Sequence, residues 1–445
     1  MSSENSSKKI SKYTAISIVV ANMIGAGVFT SLGFQVAAVH SVFSILILWV
    51  VGGMVALFGA FSYGELGAAY PRSGGEYNLL SEIYHPALGF LSGWVSVTVG
   101  FAAPTTLAAI GFASYLQTVF PAIPLNHTAA GLVIFFTIIH STSLRVAQVS
   151  HNLFTAIKIL LIVLFILASF WASHTQNISV LPTFSDLSIV ASPGFAVSLI
   201  YVSYAYAGWN AAIYVVGDIE NAKKNLPIAL FLGTIIVTLL YVPLNYVFLK
   251  TVPMPDLIGQ IQIGGLSGVA IFGEIGGIVM SLVIAFLLIS TVSGQIFVGP
   301  RIMQVIGEDY KVLSFLKKKS KQNIPVSAFI VQLVLILLFL YTSSFEQVMV
   351  YSGFTLNILS TLTVAGVFIS RWRDKNIERP YKTWGYPFTP AIFLLVSLWT
   401  LFYVFIERPI ESLIGLAITG FGVFIYVYEK RMKTKEANTK TKSEI

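Results

Sequence analysis

Lys158 is the first residue whose chemistry needs explaining. It ends the stretch His151-Asn152-Leu153-Phe154-Thr155-Ala156-Ile157-Lys158, and uninterrupted apolar sequence follows as far as Trp171. At 1.5 Å per residue, the ammonium belongs about 10 Å inside a helix that runs through apolar surroundings. Two readings stand. Its flexible stem can lift the charge to an interface, or the charge is functional, as buried charges in lipid usually are. In the second case a cation or titratable amine sits in a polar core, in the place a metal cation would otherwise take.

Two other stretches break apolar helices with unusual residues. Asn22-Met23-Ile24-Gly25-Ala26-Gly27 interrupts the first apolar run, and Tyr204-Ala205-Tyr206-Ala207-Gly208-Trp209-Asn210 interrupts the sixth. Glycine costs about 1 kcal/mol in a helix interior. An unwound Gly25-Ala26-Gly27 would leave free amides at the positive start of a half-helix, a cradle for a carboxylate. The alternative is a small-residue surface for close helix packing. An unwound sixth-run stretch would offer carbonyl oxygens to an ammonium group, with aromatic rings to close over a side chain. The alternative there is an aromatic face in ordinary packing. Taken together, the two breaks would read the two ends of a zwitterion.

Other charged residues have plainer readings. Glu65 is either part of a gate network or an interfacial carboxylate paired with a nearby Arg or Lys. Glu274 is expected to be solvated, Asp218 and Glu220 to lie in a turn, and Leu313 to Lys319 to form a solvated loop. None of the six histidines has metal-ligand spacing, cysteine is absent, and there is no phosphate loop, catalytic carboxylate pair or nucleophile elbow. We therefore expect no enzyme, no catalytic residue, no metal and no cofactor.

The elements that must position these residues follow from composition. The 445 residues are 56% hydrophobic and only 10% charged, where soluble chains carry about 25% charged residues. Twelve apolar runs are expected as helices at 13–38, 42–67, 82–117, 128–143, 152–172, 192–216, 227–250, 270–303, 325–341, 346–370, 389–406 and 410–428, near the roughly 20 residues that cross a bilayer. The long third and eighth runs are expected to tilt or break. With the amino terminus inside, all but three of the 27 basic residues fall on inner segments. Lys250 and Arg408 fall outside, and Lys158 lies within a run. This asymmetry predicts that both termini are cytoplasmic. It also makes the net charge of +8 a sign of membrane topology, with no nucleic acid partner. No cleavable leader is expected.

The expected fold is thus an all-α integral membrane protein. It has a cytoplasmic tail (1–12), one domain (13–428) and a basic cytoplasmic tail (429–445). The paired breaks fit two inverted five-helix halves, about 13–172 and 192–370, plus two further helices in 389–428. Breaks at matching positions of inverted repeats point to a binding site at the midplane.

At these residues the chain resembles the amino acid–polyamine–organocation superfamily, and within it the sodium-independent L-type-like permeases. The resemblance is carried by Ile24-Gly25-Ala26-Gly27-Val28-Phe29, Glu65 to Tyr77 and Gly89-Phe90-Leu91-Ser92-Gly93-Trp94. Phe154 to Lys158, Tyr204 to Asn210, Asp218 to Pro227, Arg379-Pro380-Tyr381-Lys382 and Gly385-Tyr386-Pro387 continue it. The resemblance implies the five-plus-five fold with discontinuous helices 1 and 6. It implies substrate contacts at Ile24, Gly25, Ala26, Gly27, Tyr204, Ala205, Tyr206, Ala207 and Gly208, with coupling or gating at Lys158, Tyr241 and Tyr204. Tyr204 stands where the family often has Phe, and Ala26 where Ser is commoner. A cell-membrane transporter of neutral L-amino acids, working by exchange or proton symport, is the implied function. Polyamine or cationic amino acid antiport, or a non-transporting sensor, is the alternative. Without cysteine there is no disulfide-linked subunit.

Overall fold

A computed structural model describes residues 9–142, 151–172, 175–320 and 323–443. Lys8, Arg145 and Lys321, counted above among the basic residues, lie outside the described residues. So do the side chains of His151 to Phe154 and of residues from 433 onward. Every described regular element is a helix; one isolated bridge pairs Ile10 with Ile219.

In chain order the helices are α1 (Lys12–Met23), α2 (Gly27–Thr30), α3 (Leu32–Gln35), α4 (Val42–Ala69), α5 (Glu76–Ile83), α6 (Pro86–Val95), α7 (Ala102–Gln117), α8 (Leu125–Thr142) and α9 (His151–Ala168). They continue with α10 (Phe184–Val190), α11 (Pro193–Tyr206), α12 (Ala222–Thr251), α13 (Met254–Leu257), α14 (Ile263–Asp309), α15 (Val326–Thr342), α16 (Phe345–Arg373), α17 (Phe388–Glu407) and α18 (Pro409–Ser443). Among the described residues each of the twelve apolar runs contains helix. Among the described residues, nine helical stretches are long and apolar enough to cross a membrane, three of them (Lys12–Thr30, Pro86–Gln117 and Pro193–Asp218) running through an irregular segment, and Thr155–Trp171 and Val326–Thr342 are shorter apolar helices.

Local sequence sets the starts. The Ser11 hydroxyl accepts the Thr14 amide at α1, and Ser41 and Ser192 do the same for α4 and α11. Ser344 and Gln347 form a reciprocal capping box at α16. Each cap satisfies an amide that has no carbonyl one turn back. The two long runs are irregular, as expected. A π-helical segment, Ser96–Gly100, separates α6 from α7, and α14 bends at Gly273, whose φ of 76° suits only glycine.

α12 packs along α4 and α1, and α14 lies along α7. Phe135, Ile138, Leu164, Phe402 and Phe424 are exposed on the outside of this bundle, as lipid-facing side chains would be. One expectation is corrected. Lys311–Lys317 is a 3₁₀ helix with Leu313 and Leu316 buried, so the segment is docked and not a solvated loop. Its apolar residues fit against Phe90, Met303 and Ile306, contacts that local sequence does not reveal.

Candidate functional site

The first run comes apart at the glycines. α1 ends at Met23, Ile24 leaves helical geometry (φ −76°, ψ 84°), and α2 begins at Gly27. The Gly25 amide folds back to the Met23 carbonyl (2.8 Å), and the Ser31 amide reaches the Gly27 carbonyl (2.9 Å). Such a break strands carbonyls at the end of one helix and amides at the start of the next. Two side chains reach the stranded carbonyls. The Tyr241 hydroxyl of α12 donates to the Met23 oxygen (2.7 Å), and Lys158 Nζ of α9 donates to the Ile24 oxygen (3.0 Å).

Lys158 is only 5% exposed, and its Nζ also donates to Thr291 Oγ1 on α14 (3.2 Å). The ammonium therefore turns inward to the break. It does not snorkel to an interface.

The sixth run breaks one helical turn past Tyr204. α11 stops at Tyr206, Ala207 is extended (ψ 141°), Gly208 has φ 101°, and a 3₁₀ helix runs Ala211–Asp218. The two breaks touch. A Cβ on Gly27 would come within 2.5 Å of Ala205 Cα, and one on Gly208 within 2.8 Å of the Asn22 carbonyl group. Glycine at both points is a condition for the contact. Asn22 itself is exposed, whereas Thr30, Ser31, Leu32 and Gln35 beyond the break are buried.

Aromatic rings back the junction. Tyr206 and Tyr241 lie 5.2 Å apart, each against Trp49 of α4 (5.9 and 5.6 Å). The Tyr206 hydroxyl donates to the Trp49 carbonyl (3.0 Å), so this side chain faces the cluster. Tyr204 is nearly buried at the end of α11.

Polar and aromatic contacts close the bundle on either side of the junction. On the face that carries Ile10, Glu65 is 1% exposed and receives Arg371 at both oxygens (2.8 and 2.6 Å), with Arg379 Nε at 3.4 Å and the Thr383 amide at 2.6 Å. Glu65 is thus a buried carboxylate paired with two arginines. On the opposite face Phe34 stacks on Phe345 (5.7 Å) and lies 6.0 Å from Tyr201. Beyond them Glu346 accepts from Tyr201 and Arg408 (2.6 Å each) beside a cavity of about 340 Å³.

Sequence reasoning missed a buried carboxylate beside the sixth-run break. Glu76 accepts from the Tyr63 hydroxyl, from Asn210 Nδ2 (3.1 Å) and from Ser360 Oγ (3.2 Å). It was visible only as a letter in the Gly-Gly-Glu-Tyr stretch. Its position after the paired glycines was the available signal, but partners up to 284 residues away could not be read from it.

Fold and site together define a class: a multi-pass membrane protein in which two interrupted helices meet inside the bundle. The family described as amino acid permease matches residues 10–424. The chain belongs to that family, part of the amino acid–polyamine–organocation superfamily, whose members are transporters and not enzymes.

It is 29% identical over 435 residues to the large neutral amino acids transporter small subunit 2 of Homo sapiens, covering 94% of this chain and 80% of that protein. Against the b(0,+)-type amino acid transporter 1 of Mus musculus, identity is 28% over 439 residues (95% and 88% covered). Against the Asc-type amino acid transporter 1 of Mus musculus it is 27% over 450 residues (98% and 84% covered). The chain is thus a multi-pass amino acid transporter of the L-type branch.

Proposed function

We propose that this chain carries neutral L-amino acids across the cell membrane by alternating access, without sodium, as an exchanger or proton symporter. The observation that carries the reading is the meeting of the two breaks, with Lys158 and Tyr241 bound to the carbonyls released by the first. Ile24, Gly25, Ala26 and Gly27 hold the substrate carboxylate at the start of a half-helix, with the Ile24 and Gly25 amides turned back to Val20 and Met23. Tyr204 to Gly208 bind its amine through carbonyls, and Tyr204 closes over the side chain. Lys158 ties the first break to α9 and α14, and its fixed positive charge stands in for a metal cation. Neutral substrates fit because, among the described residues, the acid nearest the junction, Glu76, is already engaged by Tyr63, Asn210 and Ser360. The name of the Homo sapiens relative, a large neutral amino acids transporter small subunit, supports this class.

Twelve helices span the membrane in this reading, as five-plus-five inverted repeats with two added helices and both termini in the cytoplasm. The chain works free of any disulfide-linked subunit, having no cysteine to offer one.

The test is counterflow of labelled neutral amino acids into proteoliposomes preloaded with the unlabelled compound, in sodium or choline buffer. Saturable counterflow of equal rate in the two buffers is expected. Absence of counterflow, or a strict need for sodium, would remove the reading.

A further inference from the structure

Glu76 is a buried acid that the mechanism above does not use. It opens α5 behind Gly75 (φ 61°) and is 3% exposed. The three hydrogen bonds that reach it converge on a single oxygen, Oε1. Among the described residues no donor reaches Oε2 and no lysine or arginine pairs with the carboxyl. Glu65, on the neighbouring α4, holds two guanidinium groups, so the bundle distinguishes the two acids.

The titratable groups that face Glu76 are Tyr63 of α4 and Tyr214 of the 211–218 helix. α6 and the Ser96–Gly100 segment have no titratable side chain, and α16 faces it with Ser360. On its own helix, Tyr77 turns away to Asp309 (2.7 Å). A desolvated carboxyl with no cation in contact is costly as an ion and readily holds a proton. Burial accordingly raises this carboxyl above the ordinary carboxylate range.

Its partners give the proton something to control. Asn210 lies two residues past Gly208, so Glu76 holds the segment that leaves the sixth-run break. Tyr63 and Ser360 anchor the same oxygen to α4 and α16.

We propose that Glu76 is the proton-binding site of an amino acid symporter, taking one proton at Oε2 and giving it up again within each transport cycle. The proposal rests on the transport reading and selects symport within it. Ionised, Oε1 ties α4, α16 and the post-break segment with charge-assisted hydrogen bonds, about twice as strong as neutral ones. Protonation weakens all three together and frees the segment to move with bound substrate. Release of the proton to water restores the tie.

The test uses the whole chain in proteoliposomes. With the outside acid, the wild type should accumulate a labelled neutral amino acid above the internal concentration, and a protonophore should abolish the accumulation. Glu76→Gln should lose that accumulation, and whatever counterflow it keeps should no longer vary with pH. Glu76→Asp should restore part of the gradient response. Infrared difference spectra of the wild type between acid and alkaline buffer should show a carboxylic acid band that is missing in Glu76→Gln; this readout needs no transport. Gradient-driven accumulation by Glu76→Gln at the wild-type level overturns the proposal. So does a wild type that shows counterflow but no response to a pH gradient, or an infrared spectrum without that band. Absence of wild-type counterflow would instead remove the transport reading on which the proposal stands.

Discussion

Lys158 and Tyr241 do similar work from opposite sides of one break. Each supplies a donor to a main-chain carbonyl that the helix itself has abandoned. Replacing Lys158 by Ala removes the donor to Ile24 and the link to Thr291, so the break loses its geometry as well as a charge. Counterflow by Lys158→Ala should fall at least tenfold while the protein still inserts, and Lys158→Arg should not rescue it, since a planar fork does not reproduce a compact ammonium. Wild-type rates for Lys158→Ala would exclude the role given to it here. The glycines allow a second residue-level prediction. A side chain at Gly27 meets Ala205 backbone at 2.5 Å, so Gly27→Val should push the two breaks apart, abolish transport and lower the thermal unfolding midpoint in detergent, as uptake and unfolding would show.

At the scale of elements, helices far apart in sequence are joined by a few polar ties. Arg371 of α16 fills both oxygens of Glu65 on α4. Arg371→Ala leaves a buried carboxylate with only Arg379 and the Thr383 amide, which should cost on the order of 2 kcal/mol. Thermal unfolding in detergent should show a lowered midpoint, less so for Arg371→Lys.

On the other face, the Ser41 hydroxyl at the start of α4 and the Thr183 and Ser44 hydroxyls hold the Asp186 carboxyl of α10 well below the usual carboxylate range. A carboxyl whose folded pKa is depressed contributes stability that is present above its unfolded pKa and is lost as pH falls towards the folded one. Asp186→Asn should therefore lower the unfolding midpoint at neutral pH, and the gap to the wild type should narrow in acid. A gap that does not change with pH would show that ionisation at Asp186 does not matter.

For the whole molecule, the basic residues carry a prediction about orientation. The natural chain has no cysteine, so single cysteines report cleanly. Ser185 and Lys375 are both exposed, in α10 and after α16 respectively. In intact cells Ser185→Cys should react with an impermeant maleimide, and Lys375→Cys only after permeabilisation. The reverse pattern would invert the topology proposed here.

The junction is exposed at Asn22 but buried beyond it, from Thr30 to Gln35, with Phe34 and Phe345 stacked on that side. Under the alternating access proposed above, that stack must part for substrate to pass on this side.

Much of this was legible in the chain itself. Apolar runs of bilayer length dictate helices, because a backbone in hydrocarbon must satisfy its own hydrogen bonds. The glycine breaks and the out-of-place lysine mark where that rule is suspended, since glycine weakens a helix and a charge in apolar surroundings demands partners. Tertiary structure alone decided what the exceptions touch. Lys158 could have reached an interface or a core, and only packing against α14 and the first break turned it inward. Glu65 and Glu76 are both acids on the same side of the bundle, eleven positions apart in the chain. Two arginines from beyond residue 370 reached one, and three neutral donors converged on the other. Such assignments depend on groups brought together across hundreds of residues, and no local pattern of side chains encodes them.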